Sequence, residues 1–239
     1  MRLDGAVALV TGAGSGIGAA TARALAFRGA RLALVARSPE SLRAVADELG
    51  GALILPGDLT ETSFAATVVD RAAEHYGRLD LLVNNAGALE RGGIEELDLD
   101  AAASMIRLNV EAAISLGTRA LRVMKRQGDG WLVNISSIAG VKTLNPEVAV
   151  YGATKHALEA WSDAVRPALT GTGVGITCIE PGLVSTSLYD GWSAQARAEI
   201  AARPALHPND VAEVVLFVLQ RPARVRIPKL LILPDGEAH

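Results

Sequence analysis

Residues Ala6 to Val10 form a short apolar run that ends in Thr11-Gly12-Ala13-Gly14-Ser15-Gly16-Ile17-Gly18. A continuous apolar run bounded by turn residues reads as a strand buried on both faces. Ala19 to Arg28 then carries a helical pattern, so the chain begins strand, glycine-rich turn, helix. No other feature constrains the fold as tightly, because a strand leading directly into a helix opens a parallel βα unit. The same turn is built for an anion. A helix N-terminus presents unpaired N–H groups with partial positive charge, and glycines without Cβ let a pyrophosphate approach the backbone. The spacing is Gly-x-x-x-Gly-x-Gly. Ile17 stands where the last glycine of the G-x-G-x-x-G dinucleotide fingerprint would be, so this is a variant of that turn.

The alternation continues along the chain. Arg31 to Ala36 is a second strand, Pro39 to Leu49 a helix, Ala52 to Leu55 a strand, Ser63 to Tyr76 a helix and Leu79 to Val83 a strand. A long helical pattern runs from about Leu99 to Met124, followed by strand Trp131 to Ile135, a helix through Tyr151, strand Val174 to Ile179, a helix from Asn209 to Leu219 and a last strand near Leu230 to Leu233. This order predicts an α/β fold: a Rossmann-like, doubly wound parallel sheet of about seven strands with helices on both faces. With 239 residues, no linker and no repeat, residues 1–239 are expected to form a single domain. Residues 187–207 show no strand pattern and are expected to form a mobile helical lid.

Composition excludes several roles. A net charge of −3 and a pI near 5.8 provide no basic field for holding nucleic acid. No apolar run approaches the ~18 residues needed to cross a bilayer. The single cysteine, Cys178, lies in the apolar run Ile176 to Ile179 and reads as a small buried hydrophobe, which suits a reducing cytosol. A soluble, cytoplasmic protein without a metal site is expected.

Polar residues gather at the carboxyl ends of the strands, where open α/β sheets bind ligands. The second strand ends in Ala36-Arg37-Ser38, with a guanidinium where a carboxylate would hold a ribose diol, so NADP is favoured over NAD. Asp58 follows the third strand and reads either as an acceptor for an adenine amino group or as a turn cap. Asn84-Asn85-Ala86-Gly87 follows the fourth strand, and Ser136-Ser137 the fifth. Asn109 sits inside the long helical pattern, where a side-chain amide calls for a local reason such as bending the helix or holding a water. Tyr151 and Lys155 share one helix face. This is either a surface contact or a phenol whose pKa, ordinarily about 10, is lowered by an ammonium.

Together these pieces resemble the short-chain dehydrogenase/reductase family, from about Val7 to Thr186 and in the family's order. The matching motifs are Thr11-Gly12-x-x-x-Gly16-x-Gly18, Asn84-Asn85-Ala86-Gly87, Asn109, Ser137, Tyr151-x-x-x-Lys155 and Pro181-Gly182. The resemblance implies a catalytic tetrad of Asn109, Ser137, Tyr151 and Lys155, with Ser137 chosen over Ser136 by its distance from Gly140. It implies that NADP(H) is held by Gly12, Ser15, Gly16, Ile17 and Gly18 at the turn, by Arg37 and Ser38, and by Asp58 and Leu59. Asn85, Ala86, Gly87, Tyr151, Lys155, Pro181, Gly182, Val184 and Thr186 complete the implied set.

Ser137 would polarise a substrate carbonyl, Tyr151 would exchange the proton, Lys155 would serve both Tyr151 and the nicotinamide ribose, and Asn109 would hold a water. The C-terminal stretch Ala223 to Pro234 resembles the branch of 3-hydroxy acid and short-chain alcohol dehydrogenases, with a 3-oxoacyl-(acyl-carrier-protein) reductase as the alternative. A catalytically silent NADP-binding regulator is the alternative of another class. The resemblance also implies a homodimer or homotetramer. Pro167 departs from the family pattern and should kink or end the Tyr151 helix early.

Overall fold

Strand β1 (Val7–Thr11) is buried along its whole length, and its side chains divide between two cores. Ala8 and Val10 pack into one apolar cluster, while Val7 and Leu9 pack into another on the opposite face. That division follows from the alternation of side chains across a strand, and it explains why Val7 to Val10 are all apolar and only the terminal Thr11 is polar. The computed structural model describes residues 1–143 and 145–236.

The strands β2 (Arg31–Ala36), β3 (Leu53–Pro56), β4 (Leu81–Asn84), β5 (Gly130–Ile135), β6 (Val174–Pro181) and β7 (Lys229–Ile232) join β1 in one sheet of order β3-β2-β1-β4-β5-β6-β7. Every pairing is parallel. One face is covered by α1 (Gly16–Phe27), α2 (Pro39–Glu48) and α8 (Pro208–Leu219), which contribute Leu25, Leu42 and Val215 to the first core, and the short α7 (Ala194–Ala201) precedes α8. The other is covered by α3 (Thr62–Tyr76) and α5 (Ala113–Gln127), which contribute Val68 and Leu116, and by α6 (Ala149–Val165), which packs Trp161 against it. Among the described residues, no helix is long and apolar enough to cross a membrane.

Two boundaries differ from expectation in ways that matter for the site. Helix α1 starts at Gly16 rather than Ala19, so its first amides belong to the glycine turn itself. The pattern from Leu99 onward is three pieces rather than one helix: α4 (Leu99–Ile106), a π-helical turn over Arg107–Ala112, and α5. A π turn widens the helix by its i→i+5 bonding, and helical periodicity in the sequence does not disclose it. Buried amides support it from below. Asn84 Nδ2 donates to the Ala113 carbonyl at 2.9 Å and to Asn134 Oδ1 at 3.2 Å, and Asn134 Nδ2 donates to Ser162 Oγ at 2.9 Å. As expected, Pro167 ends α6 early: the helix stops at Val165 and passes into one 3-10 turn, Arg166–Leu169.

Replacing Asn84 by Ala leaves the amide oxygen of Asn134 without this donor. Unfolding in urea should show a loss of about 1 to 3 kcal/mol, the cost of an unsatisfied buried polar group. A loss under about 0.5 kcal/mol, the range of ordinary surface substitutions, would mean that the amide ladder does not stabilise the fold.

Candidate active site

The sheet order reverses between β1 and β4, and a cleft opens at the strands' carboxyl ends there, as open parallel sheets dictate. Its volume is about 1560 Å³, and it runs from Arg37 and Asp58 at one end to Tyr189 and Trp192 at the other. Gly12 adopts φ +65°, and a side chain there would lie 2.7 Å from Asn85 Nδ2, so the turn requires glycine twice over. Ser15 stands at the N-cap of α1 without making a capping bond, and its Oγ lies 3.2 Å from Ser187 Oγ. Ser38, by contrast, caps α2, accepting from the Ser41 amide at 3.0 Å. Arg37 is exposed at the cleft rim.

Beyond the turn, Ser137, Tyr151 and Lys155 meet at one place on the cleft wall. Ser137 leaves β5 as the N-cap of a short 3-10 turn, where its hydroxyl accepts from the Ala139 amide at 3.1 Å. Both Ser137 and Tyr151 line the cleft, and the Ser137 hydroxyl favours the Tyr151 phenolate. Lys155 is buried on the same face of α6, donating to the Ile135 carbonyl at 3.0 Å, with Nζ 5.7 Å from the Tyr151 ring centre. Burial lowers its pKa to about 8, with Cys178 and Glu159 acting the other way. The Tyr151 phenol is buried as well. Burial pushes its pKa up, and only the Ser137 hydroxyl opposes that, because removing the phenol from water disfavours the phenolate.

Among known proteins, the chain matches the short chain dehydrogenase family over residues 6–197. It belongs to that family. An uncharacterized oxidoreductase of Staphylococcus aureus (strain USA300) is 34% identical over 230 residues, covering 95% of this chain and 96% of the relative. An alcohol dehydrogenase from the archaeon Thermococcus sibiricus, solved with 5-hydroxy-NADP, superposes with a TM-score of 0.87 at 28% identity, covering 99% of both chains. A short chain dehydrogenase from Burkholderia cenocepacia J2315 in complex with NADP gives 0.86 at 32% identity, covering 97% of this chain and 98% of that one.

Most residues expected at a cofactor site line the cleft: Gly12, Ser15, Gly16, Ile17, Arg37, Ser38, Asp58, Leu59, Asn85, Ala86, Gly87, Pro181, Gly182, Val184 and Thr186. Gly18 does not. A Cβ there would lie 2.2 Å from the Gly12 carbonyl oxygen, so Gly18 serves the close packing of α1 on its own turn. Asp58 shows the turn-cap role, with Oδ1 accepting from both the amide and the hydroxyl of Thr60 at 2.8 Å.

Asn109 is carried by the π turn. It is 1% exposed and lies behind the cleft wall, with Oδ1 accepting from the Ala88 amide at 2.9 Å and Nδ2 donating to the Ala88 carbonyl at 2.9 Å and to Thr154 Oγ1 at 3.1 Å. Both amide hydrogens are thus used, and the side chain positions the Gly87-Ala88 wall. Thr154, which passes the bond on to the Tyr151 carbonyl at 2.7 Å, was not singled out in the sequence. Its place three residues after Tyr151, on the same helix face, was the available signal.

Asn109→Ala strips Ala88 of both side-chain bonds, so stability should fall by about 1 to 3 kcal/mol. Thermal and urea unfolding of the variant measure this, and an unchanged midpoint would overturn the positioning role.

Proposed function

We propose that this chain is an NADP(H)-dependent oxidoreductase that interconverts a small alcohol and its carbonyl, with a 3-hydroxy acid or ester as the substrate class. The observation that carries the reading is the buried Tyr151 phenol with the Lys155 ammonium 5.7 Å from its ring, at a cleft that Ser137 also lines and that contains an open helix N-terminus. The uncapped first amides of α1 suit a pyrophosphate, and the glycines leave space that side chains would fill. 5-hydroxy-NADP in one structural relative, NADP in the other and Arg37 at the rim support the phosphorylated dinucleotide. Bound there, NADP(H) supplies the hydride chemistry.

The chain's own residues handle the proton. Ser137 donates a hydrogen bond to the substrate oxygen, and Tyr151 O–H gives its proton to that oxygen during reduction or takes it back during oxidation. A phenol that burial keeps protonated can serve as the proton donor in carbonyl reduction. The nearby Lys155 charge steadies the phenolate once the proton has left. Residues 187–207 act as the substrate lid: Trp192 packs against Tyr189 and lies 5.2 Å beneath the Arg91 guanidinium, joining the lid to the loop after β4.

Tyr151→Phe should lower turnover by roughly 10²-fold or more, the scale of general acid catalysis, while leaving NADPH affinity nearly unchanged. Retained turnover on the best substrate would remove Tyr151 from the mechanism and favour a silent NADP-binding protein. Arg37→Ala should weaken NADPH by about 1.5 to 3 kcal/mol and hardly affect NADH, as for a lost charged hydrogen bond. Equal losses for both cofactors would show that Arg37 does not read the 2′-phosphate. A carbonyl panel following NADPH consumption identifies the substrate, and activity confined to acyl thioesters would replace the hydroxy-acid reading with an acyl reductase.

A further inference from the structure

One lid side chain, Trp192, is held from several directions at once. Arg91, on the loop after β4, donates from Nε to Glu147 Oε2 at 2.6 Å and brings a terminal nitrogen within 2.5 Å of the same oxygen. Its guanidinium also lies over the Trp192 ring, 5.2 Å from the centre. A planar guanidinium can stack on a ring with its face and pair with a carboxylate through its edge, which a lysine cannot do. The indole N–H points at the Leu89 carbonyl from 3.5 Å, and Tyr189 meets the ring edge-on at 5.2 Å. This bracket is fixed to the helix that carries Tyr151. The Gly92 amide donates to the Glu147 carbonyl at 2.9 Å, and Glu147 belongs to the 3-10 turn Pro146–Val148 that runs straight into α6. The indole is therefore held at a set distance from the phenol.

Trp192 also stands between two spaces. The cleft ends at Tyr189 and Trp192, and a second, more open hollow of about 440 Å³ lies beyond. Glu90, Arg91, Glu147, Gly191, Trp192 and Glu199 line both, so they form the partition. The cleft side is also lined by Leu89, Met105, Leu108, Val148 and Leu188, whereas Glu96, Ser193 and Gln195 line the far side. An alkyl group suits the first space and gains nothing in the second. We propose that Trp192, braced by Arg91 and Glu147, is the end wall of the substrate site and restricts it to short-chain alcohols and carbonyls, with Arg91 as a positioning residue. A braced indole rejects added methylenes by clash, and opening the wall would let a longer chain run on into the hollow. The proposal rests on the alcohol-carbonyl reading for the identity of the reacting group, while its test reads chain length by binding alone.

The probes are 2-butanol, 2-hexanol, 2-octanol and 2-decanol, titrated into the NADPH-bound protein, where alcohol and cofactor are both reduced and no hydride can move. In the wild type, affinity should drop by about tenfold or more between the best-bound short member and 2-decanol. Trp192→Ala should abolish this drop, Trp192→Phe, which keeps an aromatic face under Arg91, should retain most of it, and Arg91→Ala should fall between the two. Trp192→Leu serves in place of the alanine variant if that protein does not fold. A folded Trp192→Ala or Trp192→Leu protein with the wild-type length profile overturns the end wall, as does a wild type that binds 2-decanol as tightly as the shorter members or binds none of them. A general loosening of the fold would weaken all members alike, leave their ratios unmoved and overturn it equally. An Arg91→Ala profile identical to wild type overturns the bracing. Oxidation of the same alcohols with NADP is measured separately, and its absence counts against the hydride-transfer reading and not against the wall.

Discussion

A single hydroxyl closes the place where this sheet changes direction. Thr11, fully buried at the end of β1, accepts from the amides of Asn85 and Ala86 at 2.9 Å each, just past β4. Asn85 returns the contact, donating from Nδ2 to the Thr11 carbonyl at 2.9 Å. Parallel strands whose connections run to opposite sides must part at their carboxyl ends, and without such a tie the two loops would separate. The glycine turn, the Gly87-Ala88 wall and everything that lines the cleft take their position from this junction.

From it the remaining geometry follows through buried polar groups rather than through the apolar cores. Asn84 and Asn134 link β4 and β5 to the start of α5 and to Ser162 on α6. Asn109, carried by the π turn, holds Ala88 and reaches Thr154, which is bonded to the carbonyl of Tyr151. Each amide is satisfied, so together they give α5 and α6 one orientation relative to the sheet, where apolar packing alone would tolerate several. The phenol and the ammonium are therefore placed by a chain of hydrogen bonds that begins at the strand ends.

Much of this was legible in the chain because the signals are local. The apolar run before Thr11 and the glycines after it specify strand and turn through properties of a few adjacent residues, and Pro167 announces the end of α6 by lacking an N–H. Other features were not legible for equally physical reasons. A π turn inserts into an unbroken helical pattern, and what supports it, Asn84, lies well upstream in sequence. The position of Gly18 behind the turn rather than on the cleft depends on how close α1 comes to the Gly12 carbonyl. Asp58 offered two roles, and the nearby Thr60 hydroxyl displays the capping one.

Sequence by itself determined the parallel α/β architecture, the phosphate-binding turn and the pairing of Tyr151 with Lys155 on one helix face, since periodicity and i,i+4 spacing are properties of the chain. Only the tertiary structure decided the charge environment of that pair. The direction of a pKa shift depends on what water is excluded and which groups remain nearby, and here those are set by burial under Gly87 and by the Ile135 carbonyl. The 3.0 Å pairing of Lys229 with Glu159 on the same helix is of this kind too. No local pattern encodes their meeting, because it is the register of β7 on β6 that brings them together.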